Sequence, residues 1–297
     1  MIFTYKKSQS QFNWVFIILA GMVILAFFTN FTVKYIDLQN KKDNAKIVAS
    51  IDNQLLSLQQ SSSELQADIE NMPTNYKFGC DNIEVGNFIP RQLNDKFVFG
   101  PKSVDTDLLI VYLRSWNYPF KITNFFYMSD KQPYYLIYNS DSERFVKDLD
   151  LPNRMNIQIT KIIPIQKGKK IIFTKNPSGD AVQIVPRNGN WEEGYVYIEN
   201  KKYPLFGLPS IYAVIFSDYY PCILDRTLEK YKEVLKVYQE KALMLTQLRN
   251  DCNYDQLYTR LKQIEGNIDK KEYDKFKDNV KLLIEQNKNL SPCPLIF

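Results

Sequence analysis

The side chains of this 297-residue chain that could do chemistry are few, and the clearest feature is an absence: there is no histidine. That removes Ser-His and Cys-His nucleophile pairs, imidazole metal ligands and imidazole acid-base catalysis together. Carboxylate, lysine, tyrosine and cysteine chemistry is what remains. Asp105-Thr106-Asp107 has the spacing of a metal-binding acidic pair, yet two acids one residue apart ahead of an apolar run are the ordinary makings of a turn or cap. The four cysteines, Cys80, Cys222, Cys252 and Cys293, contain no C-x-x-C spacing, which argues against zinc and thiol redox. Lys-Lys pairs beginning at 41, 169, 201 and 270 are solubilising. Tyr134-Tyr135 and Tyr219-Tyr220 offer an aromatic recognition patch, with core or interface packing as the more ordinary fate. No catalytic residue, cofactor or metal is assigned.

The elements that position these groups begin with an anchor. Lys6 and Lys7 precede a stretch from Ser8 to Val33 without a charge, mostly apolar from Phe12 to Phe31. A helix rises about 1.5 Å per residue, so roughly 20 such residues match the ~30 Å hydrocarbon core of a bilayer. The run is too long for the apolar core of a removable signal, and Phe27-Phe28-Thr29-Asn30-Phe31 is no small-residue cleavage site. Aromatics gather at its two ends, Phe12, Trp14 and Phe16 against Phe27, Phe28, Phe31 and Tyr35, as at membrane interfaces. No later run is long and apolar enough to span again. The expectation is a polar leader over 1–11, one transmembrane helix over 12–33 in contact with the lipid bilayer, and an anchored remainder.

Orientation is set by two opposed signals. Lys34, Lys41, Lys42 and Lys46 follow the span and outnumber Lys6 and Lys7, which by the positive-inside rule turns the large domain toward the cytoplasm. The even number of cysteines, all on one side, suits an oxidising compartment. We expect the domain on the outer face of the cell membrane. Lys6-Lys7-Ser8-Gln9-Ser10-Gln11 followed directly by an apolar helix resembles the start of archaeal pilin-like proteins. In those, a basic and polar leader is cut just before a hydrophobic helix that is kept. Ser8 stands where that family has Gly, and its Glu just inside the mature helix is missing, with Asn13 nearby. The Gln-Phe-Asn-Trp start of the anchor also resembles uncharacterised single-pass archaeal proteins with an outside domain. The resemblance implies the same orientation and no activity.

From Lys34 to about Asn71 there is no Pro or Gly, and apolar residues recur at Val48, Ile51, Leu55, Leu58, Leu65 and Ile69, with Ser62 in the one missing step. This spacing predicts an amphipathic stalk helix over 34–72, its seam docked on the protein's own domain or serving homo- or hetero-oligomerisation. Met72-Pro73-Thr74-Asn75 should end it.

An α/β (or α+β) sheet domain with short crossover helices is expected over 78–206. Strands are read at Leu108–Leu113, Tyr134–Tyr138 and Ile157–Ile165, with helices at Pro119–Met128 and Asp141–Leu149 between them, suggesting a small parallel sheet. Arg114-Ser115-Trp116-Asn117-Tyr118 has no Gly, so the first strand is not followed by a phosphate loop of the dinucleotide type. Strands at Lys170–Thr174, Ala181–Val185 and Gly194–Glu199 extend the sheet antiparallel through Asn176-Pro177-Ser178-Gly179-Asp180 and Arg187-Asn188-Gly189-Asn190, with a further turn at Asn200-Lys201-Lys202.

The final stretch, 207–297, is helical, with apolar residues at helical spacing from Leu208 to about Asn250 and again from Tyr254 to Asn287, which predicts an antiparallel hairpin. One helix from Ile223 to Asn250 is about 40 Å long, so Cys222 cannot meet Cys252 across the 4.4–6.8 Å that bridged Cα atoms allow. The return helix should bring Cys293 back to Cys222, making Cys222–Cys293 the expected bridge. Charges are interspersed, with a net charge of +5, so no nucleic-acid partner is expected, nor a small-molecule ligand.

These readings converge on a non-enzymatic, single-pass structural or interaction protein. The alternatives are a cytoplasm-facing scaffold or envelope-assembly subunit, and a His-free carboxylate-dependent hydrolase or transferase. The Asn289-Leu290-Ser291 sequon fits an outside location.

Overall fold

Helix α1 (Lys6–Gln59) opens the chain and has two unlike halves. In this computed structural model residues 6–59, 65–86, 90–249, 251–290 and 292–297 are described, of 6–13 and 70–74 the backbone only. The side chains of the whole expected leader, 1–11, therefore lie outside the described residues. Proline is absent from 6–59 and Gly21 is its one glycine, so nothing in the sequence breaks the helix. From Trp14 to Val33 its side chains are almost all exposed; Val48, Ile51 and Leu55 are buried, with Ile47 and Leu58 half-buried beside them.

The predicted stalk runs too far. Helix α1 is described to Gln59, and Leu65 and Ile69 belong to a strand, β1 (Leu65–Phe78). Ser61, Ser62 and Ser63 between them are poor helix formers that compete for backbone hydrogen bonds. Pro73, expected to stop a helix, instead falls where the register of β1 shifts between Glu70 and Thr74, an irregularity that tolerates a missing donor. The sheet region thus begins at Leu65 rather than 78.

Next come β2 (Asn82–Val85), β3 (Arg91–Gln92), β4 (Phe97–Phe99), β5 (Ser103–Asn117) and β6 (Lys121–Ser129). With β1 they form a six-stranded sheet in the order β3-β2-β1-β5-β6-β4, antiparallel except for β4 beside β6. Pro119–Met128 is therefore a turn and a strand, not a helix. From Phe125 to Met128 its side chains alternate with period two, Phe125 and Tyr127 entering one core and Phe126 and Met128 the other; Ile122, at the register shift opposite Trp116 and Asn117, also enters the first. Strand β5 does the same, with Ile110, Tyr112 and Trp116 on one face and Leu109, Val111 and Leu113 on the other. A strand buried on both faces shows no polar side in the sequence, which is why β6 reads ambiguously.

Strands β7 (Tyr134–Tyr138), β8 (Ile157–Thr160), β9 (Lys169–Phe173), β10 (Val182–Arg187), β11 (Asn190–Ile198) and β12 (Lys201–Pro204) form the second sheet, in the order β12-β11-β10-β9-β7-β8. Strand β7 pairs in parallel with β8 and β9, and β9 in parallel with β10; only β11 and β12 extend the sheet antiparallel. Asn188 and Gly189 (φ 49° and 80°) make one hairpin turn, Glu199 and Asn200 (φ 50° and 61°) the next. The short helix α2 (Glu143–Lys147) packs on β7. The whole is mixed α/β.

The C-terminal region holds α3 (Leu208–Phe216), α4 (Tyr220–Leu248), α5 (Tyr254–Asp269) and α6 (Tyr273–Lys288). The second helical stretch is broken at Lys270-Lys271-Glu272, where Lys271 adopts φ 56° and Glu272 N donates to Asn267 O at 2.8 Å. An α5 of 16 residues runs about half the length of the 29-residue α4 before α6 turns back. The chain end therefore returns to the start of α5, not of α4. The disulfides are Cys80–Cys222 and Cys252–Cys293, and the expected Cys222–Cys293 bridge is wrong. Tyr254, whose hydroxyl donates to Pro294 O at 2.9 Å, marks the same return.

Candidate functional site

A cleft of about 630 Å³ lies where the ends of both sheets meet the start of α4. Lys77, Glu84 and Ser103 come from the first sheet, Lys102 from the connection between β4 and β5, Tyr134 and Lys169 from the second sheet, and Asp218 and Tyr219 from the α3–α4 junction. The Cys80–Cys222 bridge fixes the turn after β1 to α4 beside it. Arg226 reinforces that joint by donating to Cys80 O at 2.6 Å and Asn94 O at 2.5 Å.

Alternation along β9 decides which lysine of the 169–170 pair enters the cleft. Lys169 turns inward, its side chain about 19% exposed, and its ammonium donates to Ser217 O at 2.5 Å and pairs with Asp218 Oδ1 at 3.1 Å. Burial pushes its pKa down and the Asp218 carboxylate pulls it back up. Asp218 also accepts from the backbone N–H of Lys102 at 2.9 Å, and Lys102 itself lines the cleft. Lys77 pairs with Glu84 at 2.8 Å on the opposite wall. Beside them Ser129 Oγ meets the Tyr134 hydroxyl at 2.8 Å, and burial raises the Tyr134 pKa. Burial also raises the carboxyl of Asp130, opposed by hydrogen bonds from its own backbone and Gln132.

A second polar cluster lies between the sheet edge and α6. Lys277 is fully buried; it donates to Glu193 O at 2.6 Å and Gly194 O at 2.9 Å and sits 4.2 Å from the Tyr195 ring centroid. Burial pulls its pKa down to about 7, against the attraction of Asp274. Arg187 pairs with Asp274 at 2.6 Å and Asp278 at 2.9 Å alongside, and Tyr195 bonds to Asp274.

Among the residues singled out in sequence, Tyr134, Tyr135 and Tyr220 are buried, and Tyr134 and Tyr219 line the cleft. Asp105 and Asp107 lie within β5, not in a turn. Val48, Ile51 and Leu55 are covered by the first sheet, so these three side chains are occupied within the chain. Asp251, Cys252 and Cys293 approach one another closely enough to hold an ion, but the disulfide consumes both sulfurs and the set does not fit a metal. Compared with family models, curated proteins and solved structures, the chain matches none. What the cleft can do follows from its own groups: ion pairs, amides and the Lys102 ammonium, which pairs with no carboxylate among the described residues, lie between apolar walls of Phe78, Pro101 and Pro133, the chemistry of holding a charged group.

Proposed function

We propose that this is a non-enzymatic, single-pass membrane protein that holds a disulfide-bonded α/β domain outside the cell membrane. One observation carries the reading. The same uninterrupted helix is apolar and unburied at one end and buried in the domain at the other: it holds an 18-residue window of mean hydropathy 2.3 that is 0% buried, and the domain packs on Val48, Ile51 and Leu55. Such a surface needs a hydrocarbon partner of bilayer thickness. The two disulfides support an oxidising compartment and weigh against the lysine count around the span.

The test is a cysteine at exposed Ser178 and a membrane-impermeant maleimide on intact cells. The expected result is labelling of Ser178→Cys without lysis, while the unmodified protein is labelled only after impermeant reductant. Labelling of both proteins only after lysis, without reduction, overturns the outside placement and favours the cytoplasm-facing scaffold.

A further inference from the structure

The crossover from β8 to β9 carries three exposed isoleucines within four residues, apart from the exposed Val237, Met244 and Leu248 on α4. Ile162, Ile163 and Ile165 are 77%, 58% and 100% exposed, in a strap that passes the outer side of β7 and ends at Gly168 against Tyr135. Adjacent exposed aliphatics of this kind mark a contact with a membrane or another protein. Charge decides between them. From Leu151 to Gly179 the sequence contains no Asp or Glu. Four of the six cations in that run are met by carboxylates from elsewhere: Arg154 by Asp68, Lys161 by Glu143, Lys169 by Asp218 and Lys175 by Asp141. Among the described residues, Lys167 and Lys170 make no such pair.

Position supplies the second argument. Helix α1 meets the domain at Asn44, packed so close to Gly86 that a Cβ there would meet Asn44 Nδ2 at 2.5 Å, and again at Gln59, whose carbonyl accepts from Asn124 at 3.2 Å. Gly86 N donates to Asn75 O at 2.7 Å, Asn75 pairs with Asp105, and Asn124 with Ser115. The Ser103 end of the first sheet is therefore the end nearest the apolar half of α1. It stands only about 16 Å along the helix beyond Val33, and the strands run roughly 7 Å further back toward the span to Lys77 and Ser103. Lys169, tied through Asp218 to Lys102, places Gly168 and the Ile165 end of the strap at that same level.

We infer that the strap Ile162–Lys167 is a second membrane contact: its isoleucines enter the interface of the anionic bilayer that holds α1, and Lys167, Lys170 and Lys102 meet lipid phosphates. The inference rests on the reading of α1 as a span. It gives the domain a fixed face toward the lipid, because a tether already supplies a high local concentration and a weak second contact then suffices.

The test places the full-length protein in nanodiscs of phosphatidylcholine, with or without phosphatidylglycerol, using lipids brominated near the headgroup. Trp14 of the unmodified protein reports the span; Trp14→Phe combined with Ile165→Trp reports the strap, at a side chain whose full exposure leaves the fold indifferent to the change. Trp116 and Trp191 are buried in the core and supply a constant background. The expected result is that Trp14 is quenched in both lipids, and the strap reporter strongly with phosphatidylglycerol but weakly without it. A strap reporter unquenched in both lipids, with Trp14 quenched, overturns the inference and assigns the strap to a protein partner. Equal quenching in both lipids overturns the anionic assignment. An unquenched Trp14 overturns the span itself.

Discussion

Lys277 shows what one buried charge does to the molecule. In the unfolded chain a lysine titrates near 10.4; in the fold, burial brings Lys277 to about 7, with Asp274 and Glu193 drawing it up and Arg187 and Lys202 pushing it further down. Between those values the unfolded chain binds a proton that the folded one lacks. Stability from this group therefore rises with pH from about 7 to about 10, by up to ~1.4 kcal/mol per unit, and is level below 7. Lys277→Met should abolish that slope, as read from urea unfolding at successive pH values across the window. At the cleft, Asp218→Asn should leave the Lys169 ammonium without its carboxylate and destabilise the protein by about 1–3 kcal/mol, a change that Lys169→Met in the same chain should largely cancel. Neither lysine stands out in the sequence. Lys169 looks like half of a solubilising pair, because only the strand's alternation turns it inward and Lys170 outward, and Lys277 sits on a helix face whose burial depends on where β11 ends up.

Elements differ in how visible they are. The apolar half of α1, the strands at Tyr134–Tyr138 and around residue 110, and the long α4 are legible because each is a single unbroken pattern. Strands β1 to β4 are not, since β1 carries a proline and an irregular register and β2 to β4 are short. The spacing Val48, Ile51, Leu55 and Leu58 correctly marks a buried face, but continuing it through Ser62 to Leu65 and Ile69 joins a helix to a strand. That boundary has a consequence for mutants. Leu55 is fully buried between α1 and the first sheet, so Leu55→Ala should cost about 2–5 kcal/mol and expose the 34–59 segment to protease. Leu38→Ala, 69% exposed in the bare protein, should leave the unfolding midpoint of the domain unchanged.

At the scale of the whole molecule the two disulfides act unequally. Cys80–Cys222 closes 142 residues and joins the first sheet to α4; Cys252–Cys293 closes 41 and stays within the helices. The chain-entropy argument gives about 5 and about 4 kcal/mol respectively, as upper figures. Cys80→Ser/Cys222→Ser should therefore lower the thermal midpoint more than Cys252→Ser/Cys293→Ser, and should loosen the cleft while the second pair leaves it intact, as read by amide exchange at Lys102 and Lys169. Non-reducing peptide maps should show these two pairings. The correct pairing is hidden in the sequence because it depends on one extra turn at Lys271, which reverses the direction in which Cys293 arrives. So, too, the partition into two sheets depends on distant pairings such as β1 with β5, which no local pattern announces. Finally, α1 carries no break between Val33 and its buried face, and this makes it a rigid shaft. Gln59 lies about 39 Å up that shaft from Val33, so a change of about 10° in tilt swings it sideways by roughly 7 Å. On the proposed reading of α1 as a span, thinner bilayers would increase its tilt and turn the cleft with it, with no hinge in between.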